Sequence, residues 1–175
     1  MVDLEYLEAM WPMRTYLVTC GDLRAKANVI AVSFCMPVSK EPPLLACAIG
    51  RAAFSRELIA AGGEFVVNVP PAGLRPKVYL CGSRSGRDGD KFRAADLTAR
   101  PARRVKAPVV GECVAFMECL VRREVEAGDK VLFVGEVVEA YADETLTAGG
   151  RRMPDWEGEF PRRVYGTRFF LKPSV

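Results

Sequence analysis

Two valine-rich stretches, Cys113 to Val125 and Lys130 to Tyr141, constrain the fold more than any other feature of this chain. Both are rich in residues that suit a pleated, half-buried surface, and both exceed the usual strand length. Ala127-Gly128-Asp129 between them has the chemistry of a hairpin turn. Small apolar residues (Cys113, Ala115, Met117, Cys119, Val121) line one face of the first stretch. Val114, Phe116 and Leu120 line the other, with Glu118 and Arg122 among them. Both faces are therefore expected to be covered in part, and the pair is expected to anchor a barrel.

The rest of the chain supplies more strands than helices. Arg14 to Cys20 and Ala27 to Met36 read as strands separated by the turn chemistry of Gly21-Asp22. Leu44 to Ile49 is a short, wholly apolar run between Pro42-Pro43 and Gly50, as a strand buried on both sides requires. From Ala52 to Ala61 the apolar positions Phe54, Leu58, Ile59 and Ala61 fall at helical spacing, and Gly62-Gly63 stops the helix. Glu64 to Val69 returns to strand. Leu74, Val78, Tyr79 and Cys81 then predict a helix begun or kinked at Pro76, and Ser83 to Asp90 is a glycine- and charge-rich loop. Phe92 to Leu97 reads as a helical turn or two, and Arg100 to Pro108 as an irregular basic connector. Gly149 to Glu159 is polar, and Val164 to Leu171 is aromatic enough to be a closing strand. The balance predicts a mainly β, α+β fold, a barrel with short helical insertions, rather than a doubly wound sheet. One domain over residues 1–175 suits the length.

Composition limits the chemistry. The chain contains no histidine, so it lacks the commonest acid-base side chain and both Ser-His and Cys-His nucleophile pairs. A bound redox cofactor circumvents that limit, because the cofactor carries the hard step and the protein supplies binding and orientation. The six cysteines, at 20, 35, 47, 81, 113 and 119, show no C-x-x-C spacing. Zinc is disfavoured, most of these thiols read as small core hydrophobes, and a disulfide or a thiol-based redox role is the minority reading. The acidic start (Asp3, Glu5, Glu8) and the lack of a long apolar run predict a soluble, cytoplasmic protein without membrane contact. A net charge of +3 and basic clusters without interleaved aromatics argue against nucleic acid as a partner.

One region has the order expected of a coenzyme pocket. Two apolar strands lead through Ile49 and Gly50 to Arg51 and a short helix, presenting backbone polar groups to a flat ring and a cation plus a helix N-terminus to a phosphate. Six strings occur in sequence: A-N-V-I-A-V-S-F, E-P-P-L-L-A-C-A-I-G-R, S-R-E-L-I, G-E-F-V-V-N-V-P, C-G-S-R-S-G-R-D-G-D-K-F and K-V-L-F-V-G-E-V. Together, over about Arg14 to Tyr141, they resemble the flavin reductase-like family, and most closely its flavoredoxin branch.

The resemblance implies a Greek-key, FMN-binding split barrel that works as a homodimer with each flavin near the subunit interface. NAD(P)H would serve as transient co-substrate, and electrons would leave to free flavin, ferric complexes or a protein acceptor. It assigns Asn28 and Phe34 to the isoalloxazine, Val29, Ile30 and Ser33 to the ring edge, and Ser55 and Lys91 to the phosphate, with Arg51 and Ser85 assisting. At about 1.5 to 3 kcal/mol per charge-assisted hydrogen bond, three phosphate contacts contribute about 5 to 9 kcal/mol, against about 8 kcal/mol for micromolar binding. Structural roles compete: Ser55 as a helix cap, Arg51 and Lys91 as surface charges, Asn28 as a turn residue, Phe34 as core. The sequence departs from the family at Lys130, where the G-D-H-x-L-F-x-G-E-V run carries histidine. A fixed cation there could stabilise reduced flavin or attract a dinucleotide phosphate, or it is an ordinary hairpin lysine. That departure leaves open an alternative, a non-catalytic FMN-binding electron carrier lacking its own nicotinamide site.

Overall fold

The computed structural model describes residues 6–10, 13–142, 162–164 and 168–170. After a short helix α1 (Tyr6–Ala9) the strands are β1 (Met13–Arg14), β2 (Tyr16–Gly21), β3 (Ala27–Val32), β4 (Cys35–Lys40), β5 (Pro43–Gly50) and β6 (Glu64–Val69). They are followed by β7 (Ala99–Arg100), β8 (Val109–Val110), β9 (Ala115–Ala127), β10 (Lys130–Ala142), β11 (Arg162–Val164) and β12 (Arg168–Phe170). Among the described residues three further α-helices are inserted, α2 (Phe54–Gly62), α3 (Arg75–Ser83) and α4 (Lys91–Ala94), with one 3-10 turn, Ala72–Leu74, before α3. The fold is mainly β, as expected. The long hairpin β9–β10 stands at the centre of a seven-stranded antiparallel sheet of order β3-β2-β6-β9-β10-β5-β4.

Connectivity forces that sheet to curl. Its two outermost strands, β3 and β4, are joined by Ser33 and Phe34 alone. Laid flat, seven strands would hold the edges roughly 29 Å apart at about 4.8 Å per strand. The link from Val32 to Cys35 reaches at most about 11 Å. The edges are therefore brought side by side, and at the link the Phe34 carbonyl already joins the β5 side by accepting the Ala48 N–H at 2.8 Å. The expectation of one strand from Ala27 to Met36 is corrected here: the chain bends at Ser33, leaves its partner β2 and takes up β5.

Side-chain alternation then fills the barrel. Val18 and Cys20 of β2, Cys47 and Ile49 of β5, Phe65 and Val67 of β6, and Phe133 of β10 point inward and pack with Ile59 of α2. Gly135 marks a close approach within this core, since a Cβ there would lie 2.7 Å from the Phe65 ring. The outward face of β2 and β3 (Leu17, Val29) is covered by Val78 and Cys81 of α3 and Phe92 of α4. The outward face of β6 and β9 is covered by residues 102–109 through Val105, Ala107 and Val109. Both faces of β9 are thus occupied, as its composition requires.

Gly63, in the left-handed region at φ 68°, closes α2 with its N–H on the Ile59 carbonyl. Pro76 sits in the first turn of α3, where its missing N–H costs nothing. Another correction concerns the C-terminal segment. β12 does not join the large sheet; it pairs with β11, which pairs with β1. The polar stretch Gly149 to Glu159 lies outside the described residues.

Candidate functional site

The start of α2 collects most of the expected residues. Asn28, buried in β3, donates from Nδ2 to Ser55 Oγ at 2.8 Å. Ser55 is 1% exposed and lies inside the first turn of α2, whose N-cap position is held by Ala53 without any side-chain hydrogen bond. Ser55 therefore does not cap the helix, and Asn28 is a strand residue rather than a turn residue. The positive end of α2 therefore has no side-chain cap, and the one carboxylate of its first turn, Glu57, is paired with Arg87, which leaves the helix start able to attract an anion.

Lys91 closes the back of this site. It is 4% exposed, not a surface charge, and its ammonium donates to the Cys81 carbonyl at 2.9 Å and the Arg84 carbonyl at 3.3 Å at the end of α3. These occupy two of its three N–H donors. Desolvation draws its pKa below the usual lysine value, opposed by the nearby Cys81 and Cys20 thiols. Cys20 itself, against Ser55, is pushed up to about 12 by burial.

The loop between α3 and α4 folds over the same place. A Cβ at Gly86 would collide with the Asn28 carboxamide, so the loop can approach this closely only as glycine. Ser85 Oγ accepts the Arg87 N–H at 3.2 Å and shapes the turn. Arg87 reaches across to the Ala52 carbonyl at 2.9 Å, pairs with Glu57 and stands 5.5 Å from the Phe54 ring centroid. Sequence reasoning missed Arg87, although it stands in the quoted C-G-S-R-S-G-R string.

Gly50, Arg51 and Lys130 meet at the adjoining strand ends. Lys130 is in register with Gly50, the Arg51 N–H donates to the Asp129 carbonyl at 3.1 Å, and the Arg51 guanidinium pairs with Glu126. Lys130 is half-exposed and holds Asp129 at 2.6 Å, as a hairpin lysine does. Ser33 and Phe34 lie at the far end of β3, roughly 17 Å from Asn28 at about 3.3 Å per residue. Ser33 shares a hydrogen bond of 2.9 Å with Thr15, and Phe34 is half-buried. Asn28 therefore sits with Ser55, not with Phe34. The side chains of Val29 and Ile49 are consumed by the two cores, leaving backbone as their contribution, and Ile30 packs partly against the inner core.

Beside Ser33 and Phe34 opens an apolar cavity of about 650 Å³, lined among others by Tyr16, Cys35, Met36, Leu45, Met117 and Val137. Sequence reasoning had no signal for it, because its walls come from seven strands, β1, β2, β4, β5, β6, β9 and β10. The barrel thus offers donors for a compact anion at one end and apolar walls at the other, joined by β3. Among the described residues, no helix is long and apolar enough to cross a membrane.

Comparison with known proteins shows the family and the fold. The profile of the Flavin reductase like domain matches residues 9–160. An uncharacterized protein of Archaeoglobus fulgidus is 42% identical, over 96% of this chain and 93% of its own. The NADH-dependent FAD reductase of Streptomyces globisporus is 30% identical over 86% of this chain and 83% of its own. Among solved structures, flavoredoxin from Methanosarcina acetivorans superposes with a TM-score of 0.85 at 24% identity, covering all of this chain and 92% of the other.

Proposed function

Because the chain belongs to the flavin reductase-like domain family, we propose that it is an FMN-binding oxidoreductase that takes electrons from NAD(P)H and delivers them to free flavin, ferric complexes or a protein acceptor. The observation that carries this reading is the anion site at α2: an uncapped helix start with buried Ser55 tied to Asn28, Lys91 behind it, and Arg51 and Arg87 at its mouth. That donor set fits a phosphate monoester. When bound, FMN supplies the hydride acceptance and one-electron release that a chain without histidine lacks. The residues themselves do the holding: Ser55 and the first turn of α2 receive the phosphate, the guanidiniums neutralise it, and the segment at Ser33 and Phe34 borders the ring. The relative from Streptomyces globisporus, an NADH-dependent FAD reductase, supports a nicotinamide as donor.

Purified protein is expected to be yellow, or to quench FMN fluorescence with about micromolar affinity. Anaerobic NADH or NADPH is expected to bleach the bound flavin. Colourless protein that neither quenches FMN nor is stabilised by it would overturn the reading; reduction by dithionite alone would remove only the nicotinamide route. Lys91→Ala is expected to weaken FMN by about ten- to a hundredfold, the size of one charge-assisted hydrogen bond, and riboflavin far less. Equal losses for both ligands would confine Lys91 to capping α3.

A homodimer is part of the proposal. The edge strand β4 exposes Met36 (61%) and Val38 (46%), an apolar edge of the kind that proteins cover. Sedimentation is expected to give twice the chain mass of 19.3 kDa, and a Met36→Lys, Val38→Lys variant a monomer; wild-type protein that sediments as a monomer would end this part.

A further inference from the structure

We propose that Cys35 and Cys47 form a reversible dithiol-disulfide couple that exchanges with low-molecular-weight disulfides, a thiol chemistry separate from any flavin function. The two residues are direct cross-strand partners in β4 and β5. The Ala48 N–H on the Phe34 carbonyl flanks them, which makes Cys35 and Cys47 a non-hydrogen-bonded pair, the kind whose side chains stand closest. Such pairs have Cα atoms about 4.5 Å apart, inside the range of about 4.4 to 6.8 Å that a disulfide spans. Both thiols are free, their sulfurs are 2.8 Å apart, and Cys47 donates its S–H to Cys35.

Access to the two sulfurs is unequal. Cys35 lines the 650 Å³ cavity beside Tyr16 and Met117, whereas Cys47 is fully buried behind it. Cys35 is therefore the attacking thiol. Its sulfur bonds to one sulfur of the incoming disulfide, the sulfur-sulfur bond of that molecule breaks, and one thiol departs with the Cys35 proton. Cys47 then attacks Cys35 Sγ in the mixed disulfide and expels the second thiol, which takes the Cys47 proton. The small disulfide gains two electrons and two protons; the protein loses the same and closes the Cys35–Cys47 bridge. Burial and the neighbouring Cys35 keep the Cys47 thiol protonated until the mixed disulfide forms beside it. Cys119 shares the inner core but donates to the Met117 carbonyl at 3.6 Å, and its strand is separated from β5 by β10, so no cysteine faces it in register.

The test incubates the full chain with excess oxidised glutathione, alkylates the remaining thiols and maps tryptic peptides. Cleavage after Lys26, Lys40 and Arg51 puts Cys35 and Cys47 on separate peptides, 27–40 and 41–51. The expected result is the loss of two alkylatable thiols and a linked pair of these peptides that dithiothreitol releases. Cys35→Ser and Cys47→Ala should each abolish the linked pair, and Cys119→Ser should keep it. Wild-type protein in which both thiols stay alkylatable, in which glutathione stays on Cys35 unresolved, or in which the link involves Cys113 or Cys119 overturns the proposal. Because the decisive readout is on the wild-type chain, a variant that fails to fold does not obscure it.

Discussion

Glu118→Ala is expected to lower the unfolding free energy by about 2 to 6 kcal/mol, from at least two donors left without an acceptor at about 1 to 3 kcal/mol each. Glu118 is 0% exposed on β9, and its carboxylate gathers four donors. These are the backbone N–H groups of Arg103 (2.7 Å), Arg104 (2.6 Å) and Val105 (3.3 Å) and the Tyr141 hydroxyl (2.9 Å). Tyr141 is further held between the Arg103 guanidinium, 3.8 Å from its ring centroid, and Phe116 at 5.0 Å. Removing the carboxylate would therefore loosen residues 103–105, while Glu64 still holds the Lys106 and Ala107 N–H groups. Glu118→Gln, which keeps one carbonyl oxygen, should lose about half as much. Exposed pairs such as Arg122 with Glu136 should cost under about 1 kcal/mol. Urea unfolding monitored by fluorescence makes the comparison; a loss below about 1 kcal/mol for Glu118→Ala would show that water replaces the carboxylate freely.

A steep loss of stability in alkali is the other large effect. Burial raises the Cys20 thiol to about 12 and Cys81 to about 11, and lifts Cys47, Cys113 and Cys119 well above the ordinary 9.0. In the unfolded chain these thiols ionise near the ordinary value, while the folded chain keeps its protons. The folded state then binds more protons, so stability is fully present below about pH 9 and falls as pH rises toward 11 and 12. Each thiol contributes a slope of about 1.4 kcal/mol per pH unit, so several together would consume a typical stability of about 5 to 15 kcal/mol within a few pH units. Lys91 opposes this in part: its folded pKa lies below 10.5, and the cost of burying its charge is relieved as pH rises through that lowered value. Between pH 5.5 and 8 the curve should be flat, because the chain has no histidine to titrate. Denaturation midpoints under reducing conditions from pH 6 to 11 would decide it, and a midpoint that holds steady to pH 11 would sink the idea.

Periodicity made the elements legible. The hairpin β9–β10, the helix stopped at Gly63 and the strand before Pro70 could be read because alternation and punctuation agree there. The bend at Ser33 could not, since its flanks are continuously apolar and neither glycine nor proline marks the turn; pairing with two different strands decides it. The stretch Arg100 to Pro108 reads in sequence as an irregular basic connector. It is fastened through its backbone, with the Lys106 and Ala107 N–H groups on Glu64 and the next stretch reaching Asn68 through the Val110 N–H. A carboxylate inside an apolar strand, as at Glu118, was the available signal for that arrangement. Asn28 with Ser55, and Cys35 with Cys47, depend on register and helix placement, which no local pattern encodes.

The join at Ser33 and Phe34 also bears on where the barrel can open. β3 is hydrogen-bonded to β2 and β4 to β5, so the two edges are held side by side by a covalent link and little shared ladder. The bond between Ala48 and Phe34 continues the β4–β5 register and the hydroxyl contact of Thr15 with Ser33 continues the β2–β3 register, so each fastens one side of the link and neither ties β3 to β4. Opening there would separate β3 from β4 without touching the ladder of the β9–β10 hairpin, so the seam is where the wall yields at least cost in backbone pairing.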